Sequence, residues 1–148
     1  MPIPAFTPDG LLPEGVYDCT VEELRRQFGS FQASDRRPKL FSQLEAFLAA
    51  ARSSGLVLHV VIDGSFVTAE SQPNDIDLIL IVQGDYDFSA DLLPSQYNVL
   101  SRTRVRKRYG FDLVAVRDGT QELDEAVAFF ERVRGKPGLR KGILKLTL

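Results

Sequence analysis

Cysteine and histidine are nearly missing from this 148-residue chain, with one of each. Cys19 alone can neither close an internal disulfide nor build a cysteine-based zinc site. No stretch approaches the roughly 18–20 apolar residues that a membrane span needs. The segment Met1–Phe6 lacks the basic and apolar regions of a secretory leader, so a cytoplasmic protein without membrane partners is expected. A net charge of −2 offers no bulk attraction to nucleic acid or acidic lipid. Internal repeats and low-complexity tracts are absent too. What is present, 44% hydrophobic and 26% charged residues, suits one folded domain with one core.

The average charge hides an asymmetry. Residues 1–100 carry 6 basic and 14 acidic side chains, whereas residues 101–148 carry 12 and 6. Such a split marks either a local anion-binding face or simply a solvated basic surface.

Residues 1–19 are rich in proline and glycine and have no period, so an extended N-terminal segment is expected ahead of a domain over 20–148. Thr20 and Glu23 form a capping box for a helix with Val21, Leu24 and Phe28 on one side, ended by Gly29. After Pro38, the residues Leu40, Phe41, Leu44, Phe47, Leu48 and Ala51 predict a second helix, stopped by Gly55. Leu56–Ile62 reads as a buried strand, Asp75–Val82 as another and Phe111–Val116 as a third. Helices are expected over about 94–109 and 122–132, a turn at Gly135–Gly138, and a final edge strand over 142–148 with Lys145 pointing outward. The order predicts an α/β (α+β) domain, a mixed twisted sheet with helices mainly on one face.

Three strand ends carry the chemistry. In Asp75-Ile76-Asp77, positions i and i+2 of a strand share a face, which sets two carboxylates side by side. They repel unless one is protonated or a cation lies between them. Mg²⁺ is the expected cation, with Mn²⁺ the alternative, because hard cations take carboxylate and phosphate oxygens. The bland reading makes Asn74-Asp75 loop punctuation and Asp77 a capping residue. Gly64-Ser65 follows a buried strand, where a glycine lets backbone N–H groups approach an anion and a serine adds donors. Asp112 opens the third strand, either exposed, paired with Arg104 or Arg108, or part of the site.

Taken together, Ile62-Asp63-Gly64-Ser65, a nine-residue spacer, and Asp75-Ile76-Asp77-Leu78 resemble the signature of the polymerase-β-type nucleotidyltransferase superfamily. Gly-Ser-Phe-Val-Thr and Pro-Asn-Asp-Ile-Asp also resemble its small, antitoxin-like bacterial members. That resemblance implies a nucleotidyltransferase fold and transfer of a nucleoside monophosphate from an NTP to a hydroxyl. It implies that Asp75, Asp77 and Asp112 hold divalent metal and are catalytic, Asp112 also helping to deprotonate the hydroxyl. Gly64 and Ser65 would grip the triphosphate. The acceptor would be a small molecule, an RNA end or a protein side chain, including that of a toxin-like partner. RNA gains no support from the net charge, and a homodimer is the other partner compatible with the resemblance.

Outside that motif, Arg104 and Arg108, at i and i+4, either reach phosphates or form a solvated face. Lys136, Arg140 and Lys141 are a second candidate anion contact, and Asp63 adds a fourth carboxylate beside the motif. His59, in mid-strand, is expected to be packed or hydrogen-bonded. Two rivals stay open: a non-catalytic nucleotide- or partner-binding module on the same fold, and metal-dependent hydrolysis of a nucleotide with water as acceptor.

Overall fold

The computed structural model describes residues 3–30 and 34–148. Seven strands and five helices appear among them: β1 (Gly15–Cys19), α1 (Val21–Phe28), α2 (Arg36–Ser54), β2 (Val57–Asp63), β3 (Asp77–Val82), α3 (Pro94–Leu100), α4 (Arg102–Tyr109), β4 (Asp112–Arg117), α5 (Gln121–Phe130), β5 (Arg132–Val133), β6 (Lys136–Arg140) and β7 (Gly142–Thr147). Five strands form one mixed sheet in the order β1-β7-β2-β3-β4, and β5-β6 is a separate hairpin. The α/β class and the mixed sheet are therefore as the sequence predicts.

Helices α1 to α4 cover one face. Leu24, Phe28, Phe41, Leu44, Phe47, Val99 and Val105 pack there against Val60, Ile62, Leu78, Leu80 and Leu144. Helix α5 covers the other, where Leu123, Ala126, Val127 and Phe130 meet Val61, Ile79, Ile81, Val116 and Ile143. Strand β3 is buried on both faces after Asp77, which explains its unbroken apolar run. At α1 the capping box forms as read: Glu23 N–H donates to Thr20 Oγ1 at 3.1 Å, and Thr20 N–H to Glu23 Oε1 at 3.0 Å.

Six expectations need correction. The N-terminal segment is not all irregular, because Gly15–Cys19 is a strand paired in parallel with β7. That pairing puts β7 inside the sheet, between β1 and β2, so it is no edge strand. Lys145 instead lies beside Val61, Ile81 and Leu123 under α5, where its alkyl stem covers apolar surface. The helix expected over 94–109 is two helices, broken at Ser101, whose backbone is extended (φ −77°, ψ 116°) and whose hydroxyl caps α4 by accepting from Arg104 N–H. In one straight helix Val99 and Val105 would point about 120° apart. The break lets both be buried, at 1% and 0% exposure. Finally, β3 begins at Asp77, not Asp75, and residues 132–140 form a hairpin where a helix end and a turn were read.

Candidate active site

Strand register assembles the site. Asp63 on β2 lies opposite Asp77 on β3, and Asp77 lies opposite Asp112 on β4. By alternation the three share the face that carries Val61, Ile79 and Val114, the face covered by α5. Three carboxylates thus stand in a row across three adjacent strands at one end of the sheet. Asp75 joins them by a turn, not by strand pleat.

That turn is held by Ser65. Its backbone N–H donates to Asp75 Oδ1 at 2.9 Å, and its hydroxyl donates to the same oxygen. In return Ser65 Oγ accepts from Asn74 N–H at 2.9 Å and Asp75 N–H at 3.1 Å. Phe66 N–H reaches Asp75 O at 3.1 Å. Gly64 makes this closure possible. Its φ is +99°, and the carbonyl oxygen of Asp75 lies 2.6 Å from where a Cβ would be. In this arrangement Ser65 therefore grips the Asp75 carboxylate.

The outer carboxylates each have a partner. Asp63, buried to 5% exposure, meets Lys141 Nζ at 3.0 Å, though off hydrogen-bonding angle, so its Oδ1 accepts no directed bond. Burial pushes the Asp63 carboxyl up against the pull of that ammonium. Asp112, exposed, pairs with Arg106, neither Arg104 nor Arg108. Among the described residues, Asp77 has no such partner. Burial, followed by the charges of Asp75, Asp63 and Asp112, pushes its carboxyl up to about 6.

A testable consequence concerns stability. The Asp77 carboxyl is ionised more readily in the unfolded chain than in the folded one. Stability is therefore lost as pH rises from about 4 to about 6, and the loss is complete above that. Discounted for partial exposure, Asp77→Asn is expected to gain about 1–2 kcal/mol at pH 8 in chelator and almost nothing at pH 4. Urea unfolding at both pH values checks it; an equal or negative difference at pH 8 would show that Asp77 is not the strained member.

Two clefts meet at Asp77. One, of about 720 Å³, is lined by Asp63, Asp75 and Asp77 and by Arg132, Arg134 and Lys141. The other, of about 820 Å³, is lined by Asp77, Asp112, Arg102, Glu122 and Glu125, and Phe129 and Phe130 contribute to both. Arg104 and Arg108 are not brought to either. They line a separate depression on α4, where Arg104 donates to Asn98 Oδ1 at 2.9 Å and lies 4.6 Å above the Tyr97 ring. The basic residues that do face the carboxylates are Arg102, Arg106, Arg132, Arg134 and Lys141. Only Lys141 stood out in the sequence; the alternation of Arg132 and Arg134 was the available signal for the hairpin. His59 lies away from the site, its Nδ1 3.1 Å from Thr147 Oγ1.

A protein family described as a family of unknown function (DUF6932) matches residues 4–147. The chain belongs to that family. DUF6932 thus spans the whole sheet, both clefts and the carboxylate row in this chain. No match was found among curated proteins or among solved structures. In this member of DUF6932 no described helix is long and apolar enough to cross a membrane.

The donor set has the chemistry of a hard-cation site, oxygen only and with negative charge uncompensated at Asp77. Among the described residues, no three acidic, histidine or cysteine side chains converge closely enough to hold an ion. Drawing them together requires Asp112 to part from Arg106 and Asp75 to turn from Ser65. The first of these bonds is solvent-exposed and weak.

Proposed function

We propose that this chain is a Mg²⁺-dependent nucleotidyltransferase, moving a nucleoside monophosphate from an NTP to a hydroxyl of a small molecule, an RNA end or a protein side chain. The observation that carries this reading is the in-register row Asp63-Asp77-Asp112 beside the Gly64-Ser65 turn, which packs against Asp75. Carboxylates set that close together support a reading in which a cation lies among them. Asp75, Asp77 and Asp112 would hold the metal, and a bound divalent cation would stabilise charge on the entering and leaving oxygens of an in-line displacement. The hydroxyl attacks the α-phosphorus, pyrophosphate departs, and the hydroxyl proton passes to a carboxylate. Asp112, exposed and on the strand beside Asp77, would take that proton once it parts from Arg106. Phe129, exposed at the junction of the two clefts, offers a flat apolar face to a base.

A second reading has its own observation. Asp63 and Asp112 are each charge-paired and Asp75 is hydrogen-bonded by residues of this chain, as a non-catalytic nucleotide- or partner-binding module would need. Titration calorimetry separates the enzyme from a module that binds only a partner, and release of pyrophosphate separates it from one that binds a nucleotide without turnover. Each of the four NTPs with Mg²⁺ is added to the wild type and to Asp77→Asn. Metal-dependent binding of an NTP to the wild type, lost in the variant, is the expected result. Absence of binding at about millimolar NTP, the upper end of ordinary substrate KM values, sinks the enzyme and a nucleotide-binding module alike and leaves a module that binds only a partner.

A further inference from the structure

The β5-β6 hairpin explains itself poorly as a folding element. From Arg132 to Lys141 it carries five cations, Arg132, Arg134, Lys136, Arg140 and Lys141, and no acid. Arg132 and Arg140 are direct cross-strand neighbours, a like-charge pairing that opposes hairpin formation. Among the described residues, Lys141 is the only one of the five in an ion pair. A two-stranded ribbon is marginal on its own, so concentrating repulsion in it is costly unless an anion offsets it. The hairpin does not face open solvent on every side. Arg132, Arg134 and Lys141 line the same cleft as Asp63, Asp75 and Asp77.

That cleft is therefore two-signed, with acids from the ends of β2 and β3 and the turn between them, and cations from the hairpin and the residue that follows it. A bare anion would be repelled by the acids, and a bare cation by the basic residues. A polyphosphate travelling with a divalent cation satisfies both. We infer that the β5-β6 hairpin is the polyphosphate arm of the cleft, Arg132, Arg134 and Lys141 taking the phosphate oxygens of a ligand that arrives with a divalent cation. The inference deepens the proposed function and rests on it for the identity of the ligand. It moves the phosphate contacts from Arg104 and Arg108 to the hairpin. Lys141, meanwhile, neutralises buried Asp63 and would share its ammonium with the ligand.

Inorganic tripolyphosphate with Mg²⁺ tests it, because it has the charge pattern without base or transferable group. It is titrated calorimetrically into the wild type, into Arg132→Gln/Arg134→Gln and into Arg104→Gln/Arg108→Gln, with folding checked by circular dichroism. Loss of two charge-assisted contacts should weaken the hairpin variant at least about tenfold, while the α4 variant stays within about twofold. No binding to the wild type, equal binding by the hairpin variant, or an equal loss in the α4 variant would overturn the hairpin's role. Failure of nucleotidyl transfer with tripolyphosphate binding intact refutes the enzyme and leaves the hairpin site standing. Transfer with an unchanged KM in the hairpin variant does the reverse.

Discussion

Replacing Arg37 with methionine is expected to lower the unfolding free energy by about 3–5 kcal/mol, the range for breaking a buried charged network. Arg37 is the second residue of α2 and is 1% exposed. Its Nη1 donates to Phe66 O at 2.7 Å and to Phe28 O at 3.3 Å, and its Nη2 to Thr68 O at 2.7 Å and Glu70 O at 2.6 Å. The guanidinium also lies 6.0 Å from the Phe28 ring centroid and 5.6 Å from that of Phe66. Among the described residues, no carboxylate is bonded to it. Burial lowers its pKa while Glu70 opposes, yet arginine stays charged in proteins. Methionine fills much of the volume but orphans carbonyls at both ends of the 66–70 loop, each carrying a desolvation cost of about 1–3 kcal/mol.

That loop begins one residue after Ser65, so Arg37 is a positioning residue for the Ser65-Asp75 grip. Lysine in its place keeps the charge but not the planar fork, and should recover only part of the loss. Urea unfolding of both variants is the measurement. If Arg37→Met unfolds at the wild-type midpoint, the carbonyls find water and the loop does not depend on the guanidinium.

Arg37 also marks where sequence reasoning stops. An arginine beside Pro38 at a helix start looks solvent-exposed, and the positive end of the helix dipole disfavours a cation there. Only tertiary contact with a loop some thirty residues away reveals its use. Features that rest on local chemistry were legible: the Thr20-Glu23 box, the apolar runs of β2, β3 and β4, and the acidic and Gly-Ser strand ends. Strand β1 was not, because its alternating half-buried pattern sits among prolines and glycines and its partner lies at the other end of the chain. The i, i+4 spacing of Arg104 and Arg108 identified a helix face but not what that face meets. The helix break at Ser101 instead sends Arg106 to Asp112.

Gly64→Ala is expected to cost about 2–4 kcal/mol, combining a backbone region closed to side chains with overpacking. A methyl group at Gly64 would sit 2.6 Å from Asp75 O, 3.0 Å from its carbonyl carbon and 3.0 Å from Ile76 Cα. These are backbone atoms, so no rotamer change relieves the contact, and the Asp75-Ile76 segment must move away. Its movement strains the 2.9 Å bond from Ser65 N–H to Asp75 Oδ1 and withdraws one charge that raises the Asp77 pKa. Gly55→Ala provides the control. Gly55 is also left-handed, with φ +70°, but no atom lies within 4 Å of its would-be Cβ. There the cost should be about 1 kcal/mol, from backbone conformation alone. The difference between the two variants reports the close approach of the turn to Asp75 together with the more restricted backbone at Gly64, whose ψ is 178° against 6° at Gly55. An equal loss at both positions would mean that the Gly64 turn needs only a left-handed residue. A larger loss at Gly64, with the Asp77 carboxyl titrating lower by carbon-detected NMR, would tie that glycine to the electrostatics of the carboxylate row.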